Sequence, residues 1–292
     1  MIPGKKSWVP VVMLFVVFLL PAYGQKPAYT LFTGQGEQVS YKKMVRKCAR
    51  ADIILFGEEH NNPIAHWLQL ELLKDLYEKK GETLLAGAEM FEADNQLIMD
   101  EYFNGLITEK KFEEEMRLWN NYKTDYKPLV EFARENGIPF IATNIPRRYA
   151  NSVYKFGLDT LNAFSQEAQN FMMPLPLAYD TTLSAYAALE GGGPMSGHRN
   201  VNLRDAQAVK DATMAHFILE QYRSGKTFLH FHGRYHSDHY QGIYYFLKEQ
   251  DPGLSIITIS TISQEKISSP EEGGEDTADF MIVVPGNMTR TY

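Results

Sequence analysis

The sequence contains a single cysteine, no run of lysine or arginine longer than two, and no apolar run of membrane-spanning length. Since a disulfide needs two thiols, Cys48 alone excludes an internal disulfide. Nucleic-acid binding needs a basic face, so a formal charge of -7 predicts no nucleic-acid partner. The composition is 44% hydrophobic and 22% charged, which excludes disorder. The 292 residues fit one domain with an insertion, or two small domains.

The N-terminal segment has the pattern of a secretory signal peptide. Lys5 and Lys6 precede the apolar run Trp8–Leu20, which is shorter than the ~20 residues of a membrane span. Ala22 and Gly24 supply the small residues that a signal peptidase reads. We therefore expect a signal peptide over residues 1–24, cleaved before Gln25, and export to the periplasm or the medium. The alternative is an uncleaved N-terminal anchor.

The rest of the chain alternates between apolar runs typical of buried strands and segments with helical spacing. The predicted strands are Asp52–Phe56, Thr83–Met90, Pro139–Thr143, Thr227–His232 and Leu254–Thr261, with Phe280–Val284 as an edge strand. The predicted helices are Ile64–Tyr77, Tyr126–Asn136, Arg147–Phe156, Leu203–Tyr222 and Gln241–Lys248. This order predicts an α/β fold, a parallel sheet flanked by helices. Helical insertions are expected near residues 101–127 and 157–202, the second forming a smaller helical cap subdomain.

Polar residues follow three of the predicted strands. Gly57 and Gly233 each precede a histidine by three residues, at His60 and His236, and Glu89 ends the second strand. Ligands of parallel sheets bind at the carboxyl ends of the strands, so these side chains are expected to converge there. Two imidazoles and a carboxylate predict a divalent-metal site, with the carboxylate as a general base. The alternative is that each histidine caps a helix or is a satisfied polar residue.

Further histidines surround the second of these turns. His230 and His232 alternate along a strand and therefore share one face of the sheet. They either contact the site or pack against a covering helix. His66 is not on one helical face with His60 and is expected to be peripheral.

The sequence is rich in aromatic residues and methionine, with 17 Tyr, 17 Phe and 12 Met. Ordinary core packing explains such a composition, and so does a pocket for a flat hydrophobic cofactor. Haem iron accepts Tyr, His, Met or Cys as an axial ligand, and Arg147, Arg148 and Arg234 are candidates to bind its propionates. The sequence has no Cys-x-x-Cys-His motif, which excludes covalent c-type attachment.

Three segments resemble the ChaN-like haem-binding uptake proteins. They are ILFGEEHNNPIAHWLQ (Ile54–Gln69), DAQAVKDATMAHFI (Asp205–Ile218) and HFHGRYHSDHYQGI (His230–Ile243). The resemblance extends from about Thr30 to about Val284. The paired Gly-x-x-His turns and the glutamate are also similar to those of the wider superfamily of TIKI, TraB and erythromycin-esterase-like proteins.

The resemblance implies a parallel α/β domain with a small helical domain, and haem bound at a homodimer interface. It implies iron held by a tyrosine, with a histidine assisting from the partner, and a role in bacterial iron uptake beside an outer-membrane haem receptor. No motif places the tyrosine. Tyr179 and Tyr186 in the cap are the first candidates by position, followed by Tyr149 and Tyr235 near the sheet edge. The lipoprotein cysteine of many ChaN-like proteins is missing, which leaves membrane attachment and the receptor open.

Two functions follow from these features. The first is an exported haem-binding protein that serves iron or haem acquisition, supported by the resemblance, the signal segment and the aromatic cap. The second is a metal-dependent hydrolase, a TIKI-like protease or an esterase. In that case the resemblance assigns the catalytic and metal-binding roles to His60, Glu89 and His236.

Overall fold

The structure is a computed structural model that describes residues 26–190, 201–271 and 276–292. The predicted signal peptide and its cleavage point lie outside the described residues. Within these residues, seven strands form one sheet in the order β1-β7-β6-β2-β5-β3-β4. Neighbouring strands are parallel except β1 and β7. The strands are β1 Thr30–Thr33, β2 Ile53–Glu58, β3 Leu84–Glu92, β4 Phe140–Asn144, β5 Thr227–Gly233, β6 Ile256–Gln264 and β7 Phe280–Pro285.

Helices cover both faces of the sheet, as the alternation predicts. Those of the first half of the chain pack on one face: α1 Tyr41–Cys48, α2 Pro63–Lys80, α3 Gln96–Phe103, α4 Glu109–Glu115 and α5 Lys127–Glu135. The other face carries α6 Arg147–Phe156, α7 Gln166–Gln169, α8 Ser184–Glu190, α9 Val201–Gln221 and α10 Ile243–Gln250. Successive residues of β2 point to opposite faces, so Ile54 and Phe56 join the first core and Ile53 and Leu55 the second. The fold is therefore α/β with three layers.

Three details differ from the sequence-based expectation. The strand near residue 280 is internal, because Thr30 of β1 pairs antiparallel with Val283 and takes the edge position. The segment 101–127 is not one helix, since α4 ends at Glu115 and a short π-helix, Tyr122–Tyr126, precedes α5. In the segment 157–202, residues 170–183 are non-helical and residues 191–200 lie outside the described part of the chain.

The chain reverses its direction across the sheet beside β5, which lies between β2 and β3. Such a switch point leaves a crevice outside the carboxyl ends of the strands. Gly57 of β2 allows a close approach here, because a Cβ atom at this position would lie 2.8 Å from Cα of Arg234. The two Gly-x-x-His turns therefore begin side by side at this crevice.

Two other expectations concern the reactivity of Cys48 and the presence of membrane-spanning helices. Cys48 is fully buried, and burial raises the pKa of its thiol, which agrees with an inert cysteine. Within the described residues, none of the helices combines the length and apolar character that a bilayer crossing requires.

Candidate functional site

The three predicted site residues converge at the crevice. Nε2 of His236 lies 3.2 Å from Oε1 of Glu89. The other oxygen of Glu89 accepts a hydrogen bond of 2.8 Å from the backbone N–H of Gly233. The ring of His60 packs against the same glycine, since a Cβ atom there would lie 2.8 Å from its Nε2. The structure thus brings His60, Glu89 and His236 together, as the sequence predicts, and leaves their roles as predictions.

The central carboxylate is ionised although it is buried. Burial alone would raise the pKa of Glu89, but the charges of His236 and His60 and the N–H of Gly233 lower it well below its usual value. Burial would in turn lower the pKa of His236, and the carboxylates of Glu89 and Asp211 raise it to about 10. His236 is therefore an imidazolium between two carboxylates at neutral pH.

Asp211, on α9, is the partner of His236 that sequence reasoning did not assign. Nδ1 of His236 donates to Oδ1 of Asp211, and the hydroxyl of Tyr186 donates to its Oδ2 at 2.7 Å. Asp211 lies inside the Asp205–Ile218 segment that carries the resemblance. The resemblance marks this segment of α9. The contact between Asp211 and His236, however, depends on how α9 packs over the sheet, which the sequence does not show.

His60 is held by a second buried network. Its Nδ1 donates to Oε1 of Glu58 at 2.9 Å, and that oxygen also accepts from the hydroxyl of Tyr126 at 2.6 Å. Gln69 donates to the other oxygen at 2.5 Å. Burial favours the neutral acid, but the bonds from His60 and His66 lower the pKa of Glu58 to about 2. This arrangement fixes the ring so that Nε2 faces the crevice.

His66 belongs to this network, and the expectation that it is peripheral was wrong. Its Nε2 donates to the backbone oxygen of His60 at 3.0 Å, and its Nδ1 lies 3.4 Å from Glu58. Burial lowers the pKa of His66, whereas the charges of Glu58 and Asp125 raise it to about 9. The residue is six positions after His60 and reaches back because α2 starts between them, at Pro63, with Asn62 as its N-cap.

The predicted metal site is not supported. In the described residues, no group of three or more His, Cys, Asp or Glu side chains has an arrangement that could hold a metal ion. Both ring nitrogens of His236 contact protein carboxylates, Nε2 that of Glu89 at 3.2 Å and Nδ1 that of Asp211.

His230 and His232 form a separate buried pair on one face of β5. Their Nδ1 atoms are 3.0 Å apart and their rings are stacked. Nε2 of His230 lies 2.7 Å from the hydroxyl of Thr143, and that of His232 lies 2.8 Å from the hydroxyl of Ser237. Burial lowers the pKa of both imidazoles, in His232 to about 3. The pair therefore packs in the interior as neutral rings.

Two cavities share His60 and Glu89 in their walls. The main cavity has a volume of about 580 Å³ and combines an apolar wall on α8 with polar groups from α9 and the turn after β5. Its lining residues are His60, Glu89, Ser184, Ala185, Ala188, Leu189, Gln207, Lys210, Gly233, Arg234, Tyr235, His236, Asp238 and His239. The side cavity has a volume of about 280 Å³ and is lined by His60, Glu89, Glu92, Trp119, Asn144, Ile145, Arg147 and Lys210.

The four candidate tyrosines have different surroundings. Tyr235 lines the main cavity and is 73% exposed. Tyr186, on α8, is completely buried and its hydroxyl donates to Asp211. Tyr149 is buried and its hydroxyl accepts from Arg148 at 2.9 Å. Tyr179 is half-buried and donates to Asp205. Of the four tyrosines, Tyr235 is the one that lines the main cavity.

The three candidate arginines are also separated. Arg234 lies in the main cavity, where it pairs with Asp238 at 2.8 Å. Arg147 lines the side cavity, and its side chain is 74% exposed. Arg148 lies outside both cavities and pairs with Asp94 at 2.5 Å. Lys210, which sequence reasoning did not single out, lines both cavities.

Residues 44–247 match a family described as haem-binding uptake, Tiki superfamily, ChaN. The chain belongs to this family. The match contains all three segments on which the resemblance rested. The chain has no significant match among the curated proteins with which it was compared.

Two solved structures are similar to this chain to different degrees. One shows cofacial haem binding to ChaN of Campylobacter jejuni; it is 18% identical, with a TM-score of 0.68 over 88% of this chain and 97% of that one. A mutant erythromycin esterase in its open conformation is 11% identical, with a TM-score of 0.47 over 88% of this chain and 83% of that one. The first likeness establishes the ChaN-type α/β fold of this family member.

Proposed function

We propose that this protein binds haem in the main cavity. The observation that carries the proposal is the position of Tyr235, an exposed phenol at a cavity of about 580 Å³ in a member of a haem-binding uptake family. Ala185, Ala188 and Leu189 offer an apolar wall to a flat macrocycle. Lys210 and Arg234 line the same cavity and are the candidate cations for the two carboxylates of haem.

Tyr235 is the proposed axial ligand. Binding through its hydroxyl requires no rearrangement of the core. Tyr186 would have to break its hydrogen bond to Asp211, and Tyr149 would have to break its hydrogen bond from Arg148. A phenolate oxygen is a hard anionic donor and favours ferric over ferrous iron. We therefore expect the complex to weaken on reduction of the iron. The exposure of Tyr235 is compatible with a second copy of the chain approaching the haem, as in a cofacial homodimer.

A pair of neighbouring alanines tests where haem binds. Ala188 lines the main cavity, and Ala187 on the same helix does not. A carboxylate in place of Ala188 would oppose an apolar face, so Ala188→Glu is expected to weaken hemin binding at least tenfold, as followed by the Soret band. Ala187→Glu should bind like the wild type. Equal affinities of the two variants would contradict haem binding in this cavity.

We also propose that the mature chain starts at Gln25 and acts outside the cytoplasm in iron or haem acquisition, with an outer-membrane haem receptor as its partner. The basic residues, apolar run and small residues of the first 24 positions support export. Mass analysis of the N-terminus of protein from an export-competent host tests the cleavage. A chain that retains Met1 in the membrane fraction would contradict it.

Ester hydrolysis by protein groups alone is the second candidate function. The observation in its favour is the buried Glu89 carboxylate between His60 and His236 at the wall of a cavity. Nε2 of His60 faces this cavity, so the His60 imidazole is placed to act as a general base toward water. Hydrolysis of p-nitrophenyl acetate that is lost in Glu89→Gln but persists in Glu92→Gln would support it. Equal rates in both variants and in the wild type would exclude it.

A further inference from the structure

Helix α1 carries an exposed basic face. Its inward side consists of three buried residues, Met44, Val45 and Cys48, which pack into the first core. Every exposed position of the helix is cationic, and one more cation follows its end. The five cations are Lys42, Lys43, Arg46, Lys47 and Arg50. At about 100° per residue they cover an arc of about 140° opposite the buried residues. Basic residues that form only pairs along the sequence thus make one continuous face.

The fold itself does not account for these charges. Within residues 26–190, 201–271 and 276–292, none of the five cations forms an ion pair or a side-chain hydrogen bond. Arg46 and Lys47 lie in the last turn of α1, where cations stabilise the helix dipole. Lys42 and Lys43 lie in the first turn, where the dipole disfavours cations and where α1 has no acidic residue. The face therefore points to a partner outside the chain.

An exposed tryptophan lies beside the start of this helix. Trp67, on α2, is 48% exposed, and its ring packs edge-on against Tyr29 with 6.1 Å between the centroids. Burial, Asp75, Glu71 and Tyr29 all raise the pKa of the Tyr41 phenol, so Tyr29 also lies near the first residue of α1. Tryptophan and tyrosine side chains favour the boundary between lipid and water. The basic face thus adjoins an aromatic group suited to a membrane surface.

From these observations we propose that the face formed by α1 and Trp67 binds an anionic membrane surface. Lipid phosphates attract each cation that reaches them, which raises the affinity about fivefold per cation. The whole chain has a formal charge of -7, so an anionic surface attracts this face and repels the rest, which fixes the orientation. The main cavity is walled by α8 and α9 on the opposite face of the sheet and stays open. The choice of a lipid over a nucleic acid rests on the proposed export.

Vesicles of two compositions test the role of charge. At low ionic strength the haem-free protein should sediment with vesicles of phosphatidylglycerol and phosphatidylcholine in equal parts, and not with vesicles of phosphatidylcholine alone. Sodium chloride at about 0.5 M should release it, because salt screens exposed charges. An apolar segment that inserts into the bilayer would bind both kinds of vesicle, so the difference between them isolates the charge. Equal binding to the two kinds, or no binding to either, would overturn the proposal.

Two double variants with the same change in net charge locate the face. Lys43→Gln with Lys47→Gln removes two cations of α1 and should lower the affinity for anionic vesicles about twenty-five-fold. Lys110→Gln with Lys111→Gln removes two exposed cations of α4 that pair with Glu114, and should bind much more like the wild type. Glutamine keeps the helix propensity of lysine, so both variants should fold. Equal losses in the two variants would overturn the assignment to α1.

The fluorescence of Trp67 shows whether this face touches lipid. Binding to anionic vesicles should shift the tryptophan emission to shorter wavelengths, and Trp67→Phe should lose that shift. A shift that persists in Trp67→Phe would overturn the assigned face. Binding of a single-stranded RNA homopolymer without binding of vesicles would assign the charges to a nucleic acid and would also overturn the proposal. Vesicle binding by a protein that does not bind hemin would support this face and contradict only the proposed haem function.

Discussion

Nε2 of His236 lies 3.2 Å from Oε1 of Glu89, while Nδ1 of the same ring donates to Asp211. One imidazolium thus connects β3 with α9 across the carboxyl edge of the sheet. Because the two carboxylates raise the pKa of His236 to about 10, this connection depends on the proton that the ring carries. The site is therefore also an electrostatic element of the fold.

The first prediction concerns stability at high pH. The folded-state pKa of His236, about 10, exceeds the unfolded value near 6.5, so its stabilisation is complete below pH 6.5 and is lost as pH rises toward 10. We expect the wild type to lose on the order of 4 kcal/mol more unfolding free energy than His236→Gln between pH 6 and pH 10. Urea unfolding measures this difference. The control is His216→Gln, which replaces a half-buried histidine on α9 and should follow the wild type.

The second prediction concerns acid stability. His230 and His232 are neutral in the folded protein because burial lowers the pKa of each, in His232 to about 3. Their contribution is complete above pH 6.5 and is lost as pH falls below it. When the pH falls from 8 to 5, each of the two imidazoles should lower the unfolding free energy by about 2 kcal/mol. A double variant with glutamine at both positions should therefore lose about 4 kcal/mol less than the wild type, and identical losses would refute the assignment.

The third prediction concerns the close approach of the two turns. In Gly57→Ala the new Cβ would lie 2.8 Å from Cα of Arg234 and 3.1 Å from the backbone oxygen of Ile259. Because moving either backbone atom costs free energy, we expect Gly57→Ala to lose about 3 kcal/mol of unfolding free energy or to fail to fold. Gly286→Ala is the matched control, since its nearest contact would be 3.5 Å from the oxygen of Gln264. Thermal unfolding of both variants decides; similar midpoints would show that the packing is looser than described.

The fourth prediction separates a structural tyrosine from a ligand. Tyr186→Phe removes the hydroxyl that donates to the buried Asp211 at 2.7 Å and should cost about 1–3 kcal/mol of unfolding free energy. The Soret spectrum of the ferric haem complex should stay the same. A changed spectrum in a folded Tyr186→Phe protein would restore Tyr186, one of the two first candidates by sequence position, as the axial ligand.

The sequence predicted the strands well because buried parallel strands are short apolar runs bounded by turn residues. It also predicted that His60 and His236 meet, since a fixed Gly-x-x-His spacing after two parallel strands leads to the same edge. The antiparallel edge strand β1 was missed because it spans only four residues, Thr30–Thr33, and shows little alternation.

The partners of the site could not be read from the sequence. Glu58 and Glu59 are adjacent glutamates, yet Glu58 binds His60 inside the protein and Glu59 binds Arg290 at 2.7 Å. Which of them faces inward depends on the position of α2. Asp211 and Lys210 are likewise neighbours on α9 with different surroundings. Such roles arise from tertiary packing, which a single sequence does not encode locally.

Hemin titration of the purified protein and of Tyr235→Phe tests the central claim most directly. The wild type should show a saturable ferric Soret spectrum of tyrosinate coordination that weakens on reduction. Tyr235→Phe should keep the fold and change that spectrum, while Tyr154→Phe, an exposed tyrosine on α6, should not. No saturable spectrum in the wild type, even at concentrations that allow dimers, would contradict haem binding, and an unchanged spectrum in Tyr235→Phe would contradict the assigned ligand.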